Sequence, residues 1–231
     1  PAYLFAPHNS TNYSPKIVNV VFAEESVCTS IGKHAFSFGT ALQHIALPDR
    51  VATLESYAFY ECSALTKITV DAANTKYSSD NSGVLFNKDK TELLLCPRGF
   101  SGNYDIPNGV VTITNNAFEH CAKLTGVTIP ASVTSIGSYA FSGCAALIEI
   151  DLPESLTSLG SYAFQNCTSL TNINLGDLAL TKINKYAFQM GQGLARMTRG
   201  SVALSYSLSG DGKIDGNDGT QSGGGPADHY T

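Results

Sequence analysis

The 231-residue chain has no tryptophan, only two methionines and only 14% charged residues. Its apolar residues, 43% of the total, never form a run approaching the roughly 18 needed to span a membrane. No charged-then-apolar leader stands at Pro1, so the chain reads as a mature product or as one lacking its start. The net charge of -5 comes without clustered Lys and Arg, which removes the electrostatic footprint that nucleic acid demands. With charge so scarce, uncharged polar side chains must cover much of the surface, which suits a soluble, exported protein.

Catalytic signatures are missing as well. His8, His34, His44, His120 and His229 follow no ligand spacing, and there is no C-x-x-C, phosphate loop or G-x-S-x-G. Asp49, Glu55 and Glu61 are scattered charges on expected loops and read as solvated surface. Catalysis needs a nucleophile, a base and an orienting group brought together, or a metal cluster. The expectation is a protein that is not an enzyme and has no catalytic cofactor.

What the chain does have is a period. Ala-Phe pairs end at Phe36, Phe59, Phe118, Phe141, Phe164 and Phe188, with spacings of 23, 59, 23, 23 and 24, so one interval carries an excess of 36 residues. Apolar residues lie five before each Phe (Ile31, Leu54, Ile113, Ile136, Leu159, Ile183) and eight before (Cys28, Val51, Val110, Val133, Leu156, Leu180). Six residues after each Phe begins a Leu-x-x-apolar-x-apolar segment: Leu42/Ile45/Leu47, Leu65/Ile68/Val70, Leu124/Val127/Ile129, Leu147/Ile150/Leu152 and Leu170/Ile173/Leu175. Leu194/Met197 is a weaker last copy, and Ile17/Val20/Phe22 a leading half-repeat. Alternation at the end of each segment is period-two geometry and predicts a short strand. No single unit can bury its own apolar face, so successive units must stack into a solenoid with strands about 4.8 Å apart. Pro48, Pro130 and Pro153 end the strands, and the Tyr-Ala-Phe segment is expected as a turn or short helical piece on the opposite wall.

The stretch "SVTSIGSYAFSGCAALIEIDLPESLTSLGSYAFQNCTSLTNINL", with its kin from about Ile17 to Met197, resembles the BspA-type (Treponema pallidum type) leucine-rich repeats. That resemblance implies a right-handed coil of about six 23-residue repeats. It also implies a cell-surface or secreted binding module, adhesin-like, that recognises an extracellular or host protein. A structural subunit of an extracellular layer or filament, in contact with copies of itself, is the alternative. Residues 1–26 read as a cap and half-repeat, 27–199 as the solenoid and 200–231 as a tail. The insertion at 71–106 is expected as a hairpin, with Val84 to Phe86 and Leu93 to Leu95 flanking a polar turn, that extends the sheet or protrudes as a flap. Tyr104 to Pro107 then rejoins the register.

Eight of the 21 glycines lie from Gly200 onward. There "SLSGDGKIDGND" resembles half a calcium loop with Asp211, Asp215 and Asp218 as carboxylate ligands, but Ser207 and Ser209 are poor substitutes at its first positions. A flexible acidic linker is the competing reading, and a tail attached to a scaffold a third functional one. Asn9, Asn12 and Asn166 begin glycosylation sequons, which matter only in a eukaryotic secretory pathway.

Partner contact is expected on the outward positions of the strand segments: His44 and Ala46, Lys67 and Thr69, Gly126 and Thr128, Glu149 and Asp151, Asn172 and Asn174, Arg196 and Thr198. This face is mixed in sign and free of aromatics, and a solenoid characteristically binds along such an extended array. Cys62, Cys121, Cys144 and Cys167 lie three after the repeat Phe, and the constant offset predicts inward thiols stacked one above another. Buried free thiols are the favoured reading; bridges between neighbours and a reactive or metal role are the alternatives. On this view the Ala-Phe wall is packing, and function belongs on the wall across from it.

Overall fold

A computed structural model describes residues 16–175 and 186–188, together with the strands Arg196–Arg199, Val202–Leu204, Tyr206–Leu208 and Ile214–Gly216. The chain forms two units, Pro1–Phe100 and Ser101–Thr231, each built as a β-solenoid stack of coils. In the first unit the strands Asn19–Val21, His44–Leu47 and Lys67–Val70 pair in parallel, one per coil. In the second, Ser101–Asp105 pairs in parallel with Lys123–Thr128, and Glu149–Asp151 with Asn172–Asn174 and then Arg196–Arg199. The register is the repeat itself: Ile45 faces Ile68, and Ile150 faces Ile173.

Each coil also carries a second strand, which the periodicity did not declare. It is only two residues long and ends at the apolar position five before the Phe: Ser30–Ile31 pairs with Thr53–Leu54, and Thr112–Ile113 with Ser135–Ile136 and then Ser158–Leu159. Between the two strands of a coil lies a β-turn such as Pro130–Val133 or Pro153–Leu156, closed by bonds of 3.0 and 2.9 Å.

The third side, the turn wall, contains no helix among the described residues. In the first unit the N–H groups of Ala35, Ser37 and Gly39 donate to the carbonyls of Gly32, His34 and Phe36, three overlapping turns in succession. A left-handed residue stands two before each Phe (His34, Tyr57, Asn116, Tyr139, Tyr162, Tyr186), and another stands two after it at Phe38, Glu61, His120, Gly143 and Asn166. These reversals stop a helix from satisfying its own amides, and the freed groups bond the next coil instead. Phe36 N donates to Ala58 O at 2.8 Å, Phe118 N to Ala140 O, Phe141 N to Ala163 O and Phe164 N to Ala187 O, each at 2.7 Å. Of the expected turn or short helical piece, the turn is what forms, because a helix would leave no amide for the neighbouring coil.

Phenylalanine rings fill the space behind that wall. Phe118, Phe141, Phe164 and Phe188 stack with centroids 4.8 to 5.4 Å apart, and Phe36 stacks on Phe59 at 5.5 Å. Leu, Ile and Val at the repeat positions complete a core that is almost wholly buried.

The expected hairpin forms, Leu85–Asn87 against Glu92–Leu95, and of the two expected placements it extends a sheet. Tyr77–Ser79, Leu85–Asn87 and Glu92–Leu95 make an antiparallel meander whose Val84, Leu85, Phe86, Leu93 and Cys96 are inaccessible to solvent. It covers the edge of Lys67–Val70: Gly83 O accepts from Ile68 N at 3.0 Å, and Ser79 Oγ accepts from Val70 N at 3.1 Å. A Cβ on Gly83 would lie 2.7 Å from Lys67 Cα, so this approach requires glycine. Asn74, wholly buried, locks the insertion in place. Its Nδ2 donates to Pro48 O and Val51 O, both at 2.9 Å, and its Oδ1 accepts from Lys76 N and Tyr77 N, both at 2.8 Å. Repeat geometry resumes at Ser101, a few residues before the expected Tyr104.

Past Arg199 the described residues are three short strands, and the rest of the expected tail lies outside the described residues. Val202–Leu204 returns antiparallel along Arg196–Arg199, and Tyr206–Leu208 pairs with Ile214–Gly216. The signal was the strict alternation in "SVALSYSLS", outweighed in the sequence reading by the glycines that follow.

Asn74→Ala strands two donors and two acceptors in the interior and is expected to cost about 2–4 kcal/mol in urea unfolding, with amide exchange accelerated first in 71–100. Phe141→Ala, between two stacked rings, is expected to cost about 3–5 kcal/mol. Tolerance of either would contradict the described packing.

Candidate functional site

The parallel register sorts the outward side chains of the sheet into rows. In the first unit His44 lies beside Lys67 and Ala46 beside Thr69. Lys67 is exposed and the other three are half-buried; His44 Nε2 and Thr69 Oγ1 meet diagonally at 2.9 Å. In the second unit one row runs Glu149, Asn172, Arg196 and the next Asp151, Asn174, Thr198. Glu149, Asp151 and Asn172 are exposed and Asn174 half-buried, with inward Ile150 and Ile173 anchoring them from beneath. Arg196 and Thr198 are placed here by backbone register alone. Gly126 sits at a register shift, where a Cβ would come within 3.0 Å of Asn103 Oδ1, while Thr128 is exposed as expected. Each unit thus presents its own stretch of the expected face, neutral to basic in the first and acidic to amide-rich in the second.

The tail positions are only partly described. Asp211 and Asp218 lie outside the described residues, and Asp215 falls on a strand opposite Ser207. Asn9 and Asn12 also lie outside them, while Asn166 is half-buried beside the buried Cys167.

Among the described residues no three His, Cys, Asp or Glu side chains gather as a metal site. His34 Nδ1 approaches Ser37 Oγ at 2.9 Å, superficially a nucleophile and its base. That hydroxyl, however, is wholly buried and donates to Tyr57 O at 2.9 Å, which makes it a staple between coils. Glu55 and Glu61 are not simply solvated: Glu55 Oε2 accepts from Lys33 N at 2.8 Å, and Glu61 Oε1 pairs with Arg98 Nη1 at 2.8 Å. The insertion explains Glu61, since it delivers Arg98 to that carboxylate and lays the guanidinium 4.8 Å from the centre of the Tyr60 ring.

All six cysteines are free, and the four that follow the repeat Phe are fully buried. Three of the four thiols reach back one coil. Cys62 Sγ donates to Phe36 O at 3.0 Å, Cys144 Sγ to Phe118 O at 3.2 Å and Cys167 Sγ to Phe141 O at 3.1 Å. The favoured reading of buried free thiols holds, and the thiol also ties coil to coil. Burial pushes Cys62 up to about 11 and Cys167 up to about 12, opposed in part by backbone hydrogen bonds from the preceding coil, and holds Cys144 well above the ordinary thiol range. Cys28, in its aliphatic slot on the first coil, is only half-buried.

Coils closed by a parallel strand, a prolyl turn and an inward Leu/Ile/Phe ladder define a leucine-rich-repeat solenoid, a fold that generally serves as a binding scaffold. The chain belongs to the family of the BspA type leucine rich repeat region, whose six copies match residues 8–87 and 101–202. A leucine-rich repeat protein from Eubacterium ventriosum ATCC 27560 is 31% identical with a TM-score of 0.71, over 78% of this chain and 48% of that one. A leucine rich cell surface protein from Faecalibacterium prausnitzii A2-165 is 27% identical with a TM-score of 0.56, over 80% and 60%. The pneumococcal vaccine antigen PcpA agrees in fold alone, at 24% identity and a TM-score of 0.50 over 63% and 48%. The chain thus spans about half to three-fifths of the length of these structures. No curated protein matches it. Among the described residues no helix is long and apolar enough to cross a membrane.

A thiol reagent is expected to modify Cys28 rapidly in the native protein and the other five only after denaturation; fast native labelling of Cys144 would contradict its burial. The raised thiol pKa values also set a pH dependence. Below the ordinary thiol value of 9.0 both folded and unfolded chains keep these protons, so the stabilisation is fully present. Above it the unfolded chain ionises first, and stability falls until the folded thiols titrate near 11 and 12. The Tm of a Cys62→Ala/Cys167→Ala variant should therefore decline less steeply than wild type between about pH 9 and 11.

Proposed function

We propose that this protein is a noncatalytic binding module, extracellular or at the cell surface, that contacts a partner protein through the sheet faces of its solenoid. The observation that carries the reading is the set of side-chain rows in parallel register, with His44, Lys67 and Thr69 in one unit and Glu149, Asp151, Asn172, Asn174 and Arg196 in the other. Their backbones are fixed by the ladder, so little ordering entropy opposes binding. The Faecalibacterium relative is a cell surface protein, which supports the location.

A second reading, self-association as a structural subunit, draws on a different observation. On the first coil Ile17, Val18, Val21 and Val27 are 38%, 40%, 72% and 79% exposed, whereas Leu42 and Leu65, which fill the Ile17 slot in the next two coils, are buried. Val21 ends the first strand of its sheet, a position that proteins usually guard with charge.

An array of immobilised extracellular-matrix and host surface proteins, probed with monomeric chain, separates the two. Saturable capture, weakened about tenfold by combined Lys67→Glu, Glu149→Lys and Arg196→Glu, is the expected outcome. Capture unchanged by those substitutions would move the contact off the sheet. Mass that grows with concentration in light scattering without a partner, and returns to monomer in Val21→Lys, would favour the second reading.

A further inference from the structure

The turn wall of the first unit holds a cluster of rings that neither the core nor the backbone accounts for. Phe38 and Tyr57 are 50% and 47% exposed, the only aromatic side chains among the large hydrophobics left exposed in the described residues. Both pack edge-on against Tyr60, at 5.7 Å and with planes 85° and 89° apart, and Tyr57 stacks on His34 at 5.5 Å. Both also stand at positive φ, 61° and 60°, where a bulky side chain costs roughly 1–2 kcal/mol. The repeats supply the control. At the slot of Phe38 other coils carry Glu61, His120, Gly143 and Asn166, whereas the slot of Tyr57 holds tyrosine in three other coils (Tyr139, Tyr162, Tyr186) and Asn116 in a fourth, so Phe38 is the departure from the repeat. Glycine and asparagine relieve this strain, so the backbone alone would favour them. Unlike Phe36 and Phe59, Phe38 fills no core. Strain kept at an exposed aromatic points to a contact made with something else.

The chemistry of that contact is displayed within the same cluster. Arg98, brought in by the insertion, lies over Tyr60 and pairs with Glu61, so one guanidinium is held by a ring and a carboxylate together. On the same wall Phe38 and Tyr57 flank Tyr60 and are half open to solvent, and Glu55, two residues before Tyr57, is exposed with one carboxylate oxygen held by the Lys33 amide. The chain as a whole carries a net charge of -5. We propose that Phe38, Tyr57 and Tyr60, with Glu55 and Glu61, form a second docking surface, separate from the sheet face, for an arginine-bearing segment of a partner protein. The guanidinium lies against the Tyr57 and Phe38 rings while Glu55 supplies the counter-charge, a pairing that gains from cation–π attraction and from the planar fork of arginine. Arg98, which already neutralises Glu61, and Lys33 are the opposing charges on this wall, and they limit the affinity.

The test uses the full chain and a capped peptide of alternating glycine and arginine that carries one tryptophan. Because the protein has none, the peptide's emission reports binding directly. Saturable binding is expected, weakened about fivefold in Phe38→Asn/Tyr57→Asn and about fivefold when glutamine replaces arginine in the peptide. Asparagine already occupies both slots in other coils, so this variant should fold with an unchanged or higher Tm, and lost binding then reports lost contact. Lys33→Glu is expected to tighten binding about threefold. Three outcomes overturn the proposal: no binding to the wild-type chain; equal binding to the asparagine variant, which would mean unspecific attraction to an acidic protein; or loss of binding in Glu149→Lys in place of the turn-wall variant. The last would place the peptide on the sheet face and leave the reading given above intact.

Discussion

The bond from the amide of each repeat phenylalanine to the carbonyl of the alanine one coil on, 2.7 to 2.8 Å wherever it is described, is the constraint that the other features serve. For a turn to donate along the stack, its amides must be taken out of local use, and left-handed residues on either side of the phenylalanine do this. Their backbone cost recurs in every coil and is offset by the buried ring and by bonds on both walls. The small alanine before the phenylalanine follows from the same geometry, since backbones this close leave little room. Gly143 shows how tight the wall is: a Cβ there would lie 2.8 Å from Nδ1 of His120 in the coil before.

Much of this was legible in the chain itself. The 23-residue interval, the inward leucines and isoleucines, the register and the burial of Cys62, Cys121, Cys144 and Cys167 all follow from apolar periodicity, because solvent exclusion acts directly on side-chain type. The outward rows of the sheet are the complement of that pattern and were equally readable. Backbone handedness was not. Tyrosine and histidine are ordinary residues in any conformation, and nothing in "SYAF" announces a positive φ. The two-residue strands were hidden for a related reason, being too short to show alternation. Asn74 and Arg98 were invisible because their partners are distant in sequence or are backbone carbonyls, which carry no compositional signal.

The insertion shows how a repeat stack absorbs foreign chain. Its meander ends the pairing of Lys67–Val70 with a carbonyl from Gly83, fills the space below with Phe86 and Leu93, and sends Asn74 and Arg98 back to hold two different walls of the coil. The binding surface argued for the turn wall lies at the second of these anchors. A segment that begins as a structural plug thus also sets the charge pattern around the exposed rings. The sequence pattern separates a packing wall from an outward sheet face; in the first unit the packing wall also exposes the rings of Phe38 and Tyr57.

The thiols that reach back to the preceding phenylalanine carbonyl bear on how such a chain comes to be made. Once the coils are closed these sulfurs are sealed off, and an oxidising compartment has no access to them. Before closure the same chain carries six open thiols, four of them at the same place in their repeats, and a bridge between any two would pin coils that must instead slide into register. In any oxidising medium, folding is therefore a race between turn closure and oxidation. The contacts of the turn wall, each made within a few residues or to the adjacent coil, give closure the short path it needs to win.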